Sequence, residues 1–398
     1  MRILFCCHSF AIGGFSSYSL NLSNEFKKKG HEIIFLGITP YGSLYNDFIK
    51  SFDKVFIIER KFRTTYNYLL LLEELVVNKI KPDIVINNGV SYIQALFPLL
   101  PGHMQRYTVL HSIAQSEVDN AVHFTAFINN TICVSNNIYE KASEVIPIEK
   151  LIRIPIGIEP NNNSIEYAKN VKLEIVYVGR ITHVAKNLSL MINILHKLKE
   201  SSIPFNMTFI GDGDYMNTLK GSLVEYNLMD NVQILGSKRP HEISEFLLNK
   251  DIFLMTSVYE GMPHALLESM SIGVIPVVSD INGIRDIVKN DENGFRCKID
   301  DPDSFVNVIR RIYENEKLKL LLRANARKLI ENHYSIKNIV NKYLELFERN
   351  TGKEYPKIDE LRFRQEIETI SPKLKRYVLT IIGNYYRAYF KKNKPFKY

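Results

Sequence analysis

Two carboxylates eight positions apart, Glu260 and Glu268, lie in the stretch Tyr-Glu-Gly-Met-Pro-His-Ala-Leu-Leu-Glu-Ser-Met-Ser-Ile-Gly from Tyr259 to Gly273. A carboxylate has two acceptor oxygens and can take both hydroxyls of a ribose diol. Pro263 suits the first turn of a helix, where its missing N–H costs nothing, and Gly273 stands where a helix usually stops. The helix between them would carry Glu268 and leave Glu260 in the preceding loop. Its positive end would present open N–H groups from Met262 to Ala265, a place for a phosphate. The spacing alone equally allows a solvated helix glutamate and a loop glutamate that caps a turn.

Other residues offer related chemistry. Gly179-Arg180 is followed six residues later by Lys186-Asn187, which opens a helical pattern through Leu188, Met191 and Leu195. Arg is a planar fork and Lys a point charge, so the two could flank a diphosphate and stabilise a departing group; a solvated pair is the plain alternative. Gly211-Asp212-Gly213-Asp214 contains Asp-x-Asp, a pattern that elsewhere holds a metal, but its glycines are explained by a tight turn, and no metal is expected. Gly13-Gly14, before Ser16 and Ser17, could let backbone approach a ligand or simply make a tight strand-to-helix turn; it is not Gly-x-Gly-x-x-Gly. His111 follows a strand at the end where ligands of open α/β sheets bind, although most single histidines are structural. His8 and His103 have less to recommend them.

These residues need a scaffold, and the apolar runs supply one. Strand-like segments occur at Ile3–Cys7, Glu32–Gly37, Val55–Ile58, Asp83–Asn87, Tyr107–Leu110, Thr131–Val134 and Leu151–Ile154, with helical patterns between them. Tyr18, Leu22 and Phe26 mark one such helix. From Lys172 the alternation restarts with Leu173–Val178, Phe205–Ile210, Val232–Leu235, Ile252–Met255, Val274–Val278 and Gly294–Cys297. Alternation of this kind predicts two parallel α/β sheets. Pro155, Gly157, Pro160 and the polar run Asn161–Ser164 fall in the expected hinge, and a site between two lobes is the default expectation.

Size and composition bound the function. At 398 residues the chain has room for two or three domains, and 45% hydrophobic content is ordinary for a globular protein. A net charge of +8 is modest, and residues 369–398 contain eight Lys or Arg with no Asp or Glu, so much of the excess belongs to the tail. Cys6, Cys7, Cys133 and Cys297 show no Cys-x-x-Cys and read as small core residues in a reducing compartment. The chain opens on a strand rather than a secretion signal, and no run approaches 18 apolar residues, so no bilayer span is expected.

Taken together, the motifs resemble the retaining glycosyltransferases of family 4, the group 1 enzymes of GT-B architecture. The resemblance covers about residues 1–348. It rests most on Glu260-Gly261-Met262-Pro263 with Glu268, on Gly273-Val-Ile-Pro276-Val-Val and on Asn293-Gly294-Phe295. Arg180 with Lys186-Asn187, Gly211-Asp212-Gly213, Gly13-Gly14, Val134-Ser135 and Pro155-Ile-Gly157-Ile follow in the family's order. The segment from Arg180 to Lys186 is one residue longer than the commonest pattern, which puts the convergence of those cations in question.

The resemblance implies two Rossmann-like lobes facing across a cleft, residues 1–165 on the acceptor side and 166–348 binding the nucleotide sugar. It implies Glu268 on the ribose, Arg180 and Lys186 on the diphosphate, and Glu260 on the hydroxyls of the transferred sugar, with Gly261, Met262 and Pro263 in the donor loop. From the other lobe it implies Gly13 and Gly14 near the distal phosphate and His111 near the reacting centre. The implied reaction moves a sugar from a nucleoside diphosphate, UDP expected, to a hydroxyl of a glycan, lipid-linked or protein acceptor. No cofactor or metal is expected, the setting is bacterial surface polysaccharide synthesis, and the compartment is the cytoplasm. Two alternatives remain, a nucleotide-sugar epimerase of the same fold and a non-catalytic two-lobed sugar-binding protein.

Residues 349–398 lie beyond the family pattern. From Lys373 to Phe390, Leu374, Tyr377, Val378, Ile381, Ile382, Tyr385, Tyr386 and Tyr389 form one helical face, with Lys373, Lys375, Arg376, Asn384 and Arg387 opposite. Such a basic amphipathic helix suits an anionic membrane surface through residues 371–398, or packs back on the N-terminal lobe, or mediates an oligomer. No nucleic-acid motif accompanies it.

Overall fold

The computed structural model describes residues 1–355 apart from 12, 40–41, 53, 60–63 and 161–170, together with 358, 363 and 367. The amphipathic tail expected over 371–398 therefore lies outside the described residues. The chain divides into two compact units, Met1–Pro155 with Val340–Tyr398, and Ile156–Ile339. No helix among the described residues is long and apolar enough to cross a membrane.

The first unit is built on β1 (Arg2–Cys7), β2 (Glu32–Gly37), β3 (Lys54–Ile57), β4 (Ile84–Asn87), β5 (Gln105–Leu110), β6 (Asn130–Cys133) and β7 (Leu151–Arg153). They form one sheet in the order β3-β2-β1-β4-β5-β6-β7, parallel throughout. Ile3, Leu4, Phe5 and Cys6 in β1 are fully buried, as both faces of a sheet carrying crossover helices require. On the helix Gly14–Lys28 the expected stripe of Tyr18, Leu22 and Phe26 is buried. The strand order reverses direction between β1 and β4, and the segments following these strands are where an open α/β sheet places its ligand.

One division differs from the sequence expectation. Residues 340–348, expected with the nucleotide-side lobe, belong to the first unit. The reason is aromatic packing: Phe347 stacks on Phe26 and meets Tyr107, and the Tyr343 hydroxyl is 2.6 Å from that of Tyr18 in a buried pair. Asn350 extends the attachment by donating to the Tyr107 hydroxyl, Asn130 Oδ1 and Leu346 O, each within 3.1 Å. Tyr355 then lies beside the buried Arg106, and Phe363 and Ile367 are buried in the first unit's apolar core.

The second unit carries β8 (Leu173–Val178), β9 (Phe205–Ile210), β10 (Val232–Ile234), β11 (Ile252–Met255), β12 (Ile275–Ser279) and β13 (Phe295–Cys297). Its sheet runs β10-β9-β8-β11-β12-β13 and is again parallel. At the N-terminal end of β11, fully buried Asp251 pairs with Lys319 at 2.6 Å and with Arg323, and accepts from Glu174 N at 2.8 Å. All four cysteines are free and buried, as expected of small core residues.

Candidate functional site

In the second unit, β11 ends at Met255 and the loop Thr256–Pro263 leads into the helix His264–Ser271. Thr256 Oγ1 donates to Lys186 O and Asn187 O at 2.9 and 3.0 Å, and Val258 N donates to Ala185 O at 3.0 Å. These bonds tie the loop that follows β11 to the segment after β8. Asn187 sits between two helical pieces with a left-handed φ of 45°, a conformation that Asn tolerates better than most residues. Gly283 closes against the other side of the loop: a Cβ there would come within 2.3 Å of Glu260 O.

Glu260 is held by two partners. Lys186 Nζ makes an ion pair with its Oε1, and Ser257 Oγ donates to the same oxygen at 2.8 Å. The side chains of Lys186 and Glu260 are only 16% and 15% exposed, so solvent screens this pair less than a surface pair. Glu260 also adds to the effect of burial in raising the pKa of the Tyr177 hydroxyl, which donates to Arg180 O at 2.7 Å. The Arg180 side chain is exposed and makes no ion pair among the described residues. The structure thus brings Lys186 to Glu260, 74 residues away.

Pro263 stands at the N-cap, one residue before the helix rather than inside its first turn. Leu266 N and Leu267 N donate to Pro263 O, while the N–H groups of His264 and Ala265 have no acceptor among the described residues. The helix end therefore offers open donors and the positive end of its dipole. Glu268 lies on this helix, its Oε1 3.1 Å from His264 Nδ1 one turn earlier. The helix stops where expected, with Gly273 at φ 83°, a backbone conformation that glycine adopts without strain. Met262 is buried, its sulfur 3.2 Å from Ile156 N.

The Gly-Asp-Gly turn supports this loop system instead of forming a charge cluster. A Cβ on Gly211, whose φ is 145°, would lie 1.8 Å from Gly179 O, and one on Gly213 would lie 2.2 Å from Ile181 O. The two glycines let the turn pack directly under the backbone of Gly179–Ile181. Among the described residues, no three His, Cys, Asp or Glu side chains come together as a metal site.

The remaining sequence-predicted residues belong to the first unit. Gly14 begins the helix that follows β1, Gly13 precedes it in extended backbone, and Gly13 has nothing within 4 Å of where a Cβ would stand. His111 follows β5, with Nε2 3.2 Å from Asn88 Oδ1 and its ring meeting Phe15 and Tyr18 edge-on. Burial pushes its pKa down to about 4, so the ring is neutral at pH 7. Ser257, His264 and Asn88, which partner Glu260, Glu268 and His111, were missed from sequence. His264 left a faint trace, four residues before Glu268 on a helix. Asn88 left none, because its partner is 23 residues away.

Comparison with known proteins bears on the family and the fold. The profile of the family described as "Glycosyl transferases group 1" matches residues 160–329. An Escherichia coli UDP-Gal:alpha-D-GlcNAc-diphosphoundecaprenol alpha-1,3-galactosyltransferase is 36% identical over 139 residues, 35% of each chain. The putative colanic acid biosynthesis glycosyltransferase WcaL of E. coli K12 is 34% identical over 158 residues, 37% of this chain and 38% of that one. These matches span little more than a third of the curated relatives' length. In architecture, Anabaena HepE in complex with UDP superposes with a TM-score of 0.74 at 15% identity, covering 88% of this chain and all of that one. S. aureus TarM gives 0.70 at 15% identity, covering 87% and 99%. The fold is GT-B, and residues 160–329, most of the second unit, are similar to the group 1 glycosyl transferases.

Proposed function

We propose that the protein is a retaining glycosyltransferase that moves a sugar from UDP to an acceptor hydroxyl. The observation that carries this reading is the arrangement at the end of β11. Two glutamates flank a helix start with open N–H groups, and a lysine from the segment after β8, the neighbouring strand in the sheet, reaches the first of them. Glu268 is assigned the ribose hydroxyls, Lys186 and Arg180 the diphosphate, and Glu260 the hydroxyls of the transferred sugar. Gly261, Met262 and Pro263 shape the donor loop. Gly13 and Gly14 are assigned the distal phosphate and His111 the sugar.

In the step proposed, the bond from the anomeric carbon to the diphosphate oxygen breaks as the acceptor oxygen bonds to the same face of that carbon. The acceptor proton passes to the departing phosphate, and the configuration is kept. Lys186, Arg180 and the helix N–H groups would neutralise the charge that develops on the leaving group, where fixed donors and dipoles contribute most. No cofactor beyond the donor substrate enters this reading.

The relatives supply the choice of donor and acceptor. HepE is seen with UDP and UDP-glucose, and the E. coli galactosyltransferase is named for a UDP-sugar and a diphosphoundecaprenol-linked glycan. We assign this chain a UDP-sugar donor and a lipid-linked glycan acceptor in surface polysaccharide assembly, on the cytoplasmic side of the membrane. The basic aromatic segment 371–398 would hold it there on anionic lipid, and deleting that segment should abolish binding to anionic vesicles. Unchanged vesicle binding would remove the membrane part of the proposal.

The central test is thermal unfolding against a panel of nucleoside diphosphate sugars. A ligand present at 100 times its dissociation constant stabilises the native state by about 2.7 kcal/mol. One or more UDP-sugars should raise the melting temperature and be consumed when acceptor is added. A panel with no stabilising member would refute the donor assignment.

A further inference from the structure

In the first unit, the segments that follow β1, β4 and β5 meet in a hydrogen-bonded arrangement around His111 whose other members, Asn88 and His8, the donor-site reading leaves unused. Asn88, just after β4, donates to Cys6 O through both its backbone N and its Nδ2, at 3.1 and 3.2 Å. With its amide nitrogen committed to β1, Asn88 presents Oδ1 to His111 Nε2 at 3.2 Å. An amide oxygen only accepts, so Nε2 carries the hydrogen and Nδ1 of the neutral ring holds a lone pair. Nδ1 has no hydrogen-bond partner among the described residues, and His111 is only partly buried.

The surroundings hold the ring in this state. Gly89, with a left-handed φ of 73°, ends the turn after Asn88, and its carbonyl accepts from His8 Nε2 at 3.0 Å and Asn120 Nδ2 at 3.5 Å. Ser112 N donates to Glu117 Oε2 at 3.2 Å, which fixes the chain just past His111. The titratable groups facing His111 are the Tyr18 phenol with its Tyr343 partner, Glu117, and His8 behind the Asn88 turn. Burial favours the neutral form of each: it raises the pKa of Tyr18, Tyr343 and Glu117 and lowers that of His8.

We propose that Asn88 is a positioning residue that holds His111 as its Nε2–H tautomer, so that His111 meets a sugar hydroxyl as an acceptor through Nδ1. The tautomer follows from the structure alone; the hydroxyl rests on the transferase reading above. Nitrogen-15 NMR of the full-length protein, labelled at histidine, reads both. The expected spectrum at pH 7 shows a neutral His111 with hydrogen on Nε2, and UDP-glucose or UDP-galactose shifts the Nδ1 resonance while UDP alone leaves it in place. A hydrogen on Nδ1, an even mixture of tautomers, or an imidazolium at pH 7 would overturn the proposal.

Asn88→Asp supplies the functional arm. A carboxylate facing Nε2 raises the His111 pKa, so kcat should fall at least tenfold at pH 7 and recover as the pH rises past the new pKa. An equal loss at every pH would mean that Asn88 only packs. Where the variant fails to fold, the wild-type spectrum decides. The expected tautomer in a protein that no UDP-sugar shifts or stabilises would support the hold by Asn88 and overturn the transferase reading.

Discussion

Lys186 and Glu260 are each assigned a part of the donor, yet in the structure they satisfy one another. A diphosphate that takes Lys186 must draw it from Glu260, and Glu260 is then released towards the sugar. UDP without a sugar bears the cost of breaking the pair and gains nothing from the freed carboxylate. Glu260→Gln should therefore reduce transfer by about 10²-fold or more, the scale of losing one positioned group at the reacting centre. The same change should tighten UDP binding roughly three- to tenfold, the equivalent of an ion pair worth about 1 kcal/mol. Calorimetric titration of UDP separates this from a simple loss of the site, which would weaken both.

His111 adds a pH dependence at the same scale. Its folded pKa of about 4 lies below the ordinary 6.5, so on acidification the unfolded chain takes up a proton before the native state does. Stability is unaffected above pH 6.5 and falls as the pH drops from 6.5 towards 4. The loss at pH 5 should be on the order of 1–2 kcal/mol, and His111→Gln should remove that share of it. Urea titrations at pH 7 and pH 5 measure the difference; identical pH slopes for wild type and variant would contradict it.

At the scale of elements, the loop Thr256–Pro263 is shaped from several sides by the backbone of neighbouring segments as well as by its own side chains. Thr256 and Val258 anchor it to Ala185–Asn187, and Gly283 closes on Glu260 O and Gly261 O. Gly283→Ala would place a methyl group 2.3 Å from one carbonyl and 2.9 Å from the other, so the loop must move. We expect kcat/KM to fall roughly ten- to a hundredfold, because misplacing a reacting group by about 1 Å costs up to 10²-fold. Circular dichroism should show an unchanged fold; unchanged kinetics would mean that the loop does not set the geometry.

On the scale of the whole molecule, the end of the second sheet proposed to hold the donor and the end that carries the buried ion pairs are separate. Asp251 neutralises Lys319 and Arg323 at the N-terminal end of β11, opposite the loop that carries Glu260. Asp251→Ala leaves two buried cations without their carboxylate and should cost about 3–5 kcal/mol. UDP affinity should be unchanged where the variant is still folded. A melting temperature equal to wild type would show that the cations find other partners. In the first unit, the chain after Val340 is held by Phe26, Tyr107 and Tyr18, so removing residues 340–398 should expose that aromatic surface and lead to aggregation.

The sequence by itself determined the architecture and the residue types of the site. Each strand announces itself as a short apolar run between turn residues, and local periodicity is enough to count two alternating α/β repeats. Glu260, Pro263, Glu268 and Gly273 lie within one strand-loop-helix unit, so their relation could be read from spacing. Only the tertiary structure decided that Lys186 reaches Glu260, 74 residues away, or that Asn88 faces His111. It also decided that residues 340–348 join the first unit, because the stripe of Tyr343 and Phe347 suits any apolar partner and does not say which sheet it covers. Sheet order and loop closure bring such groups together, and those depend on pairings between distant segments that no local pattern encodes.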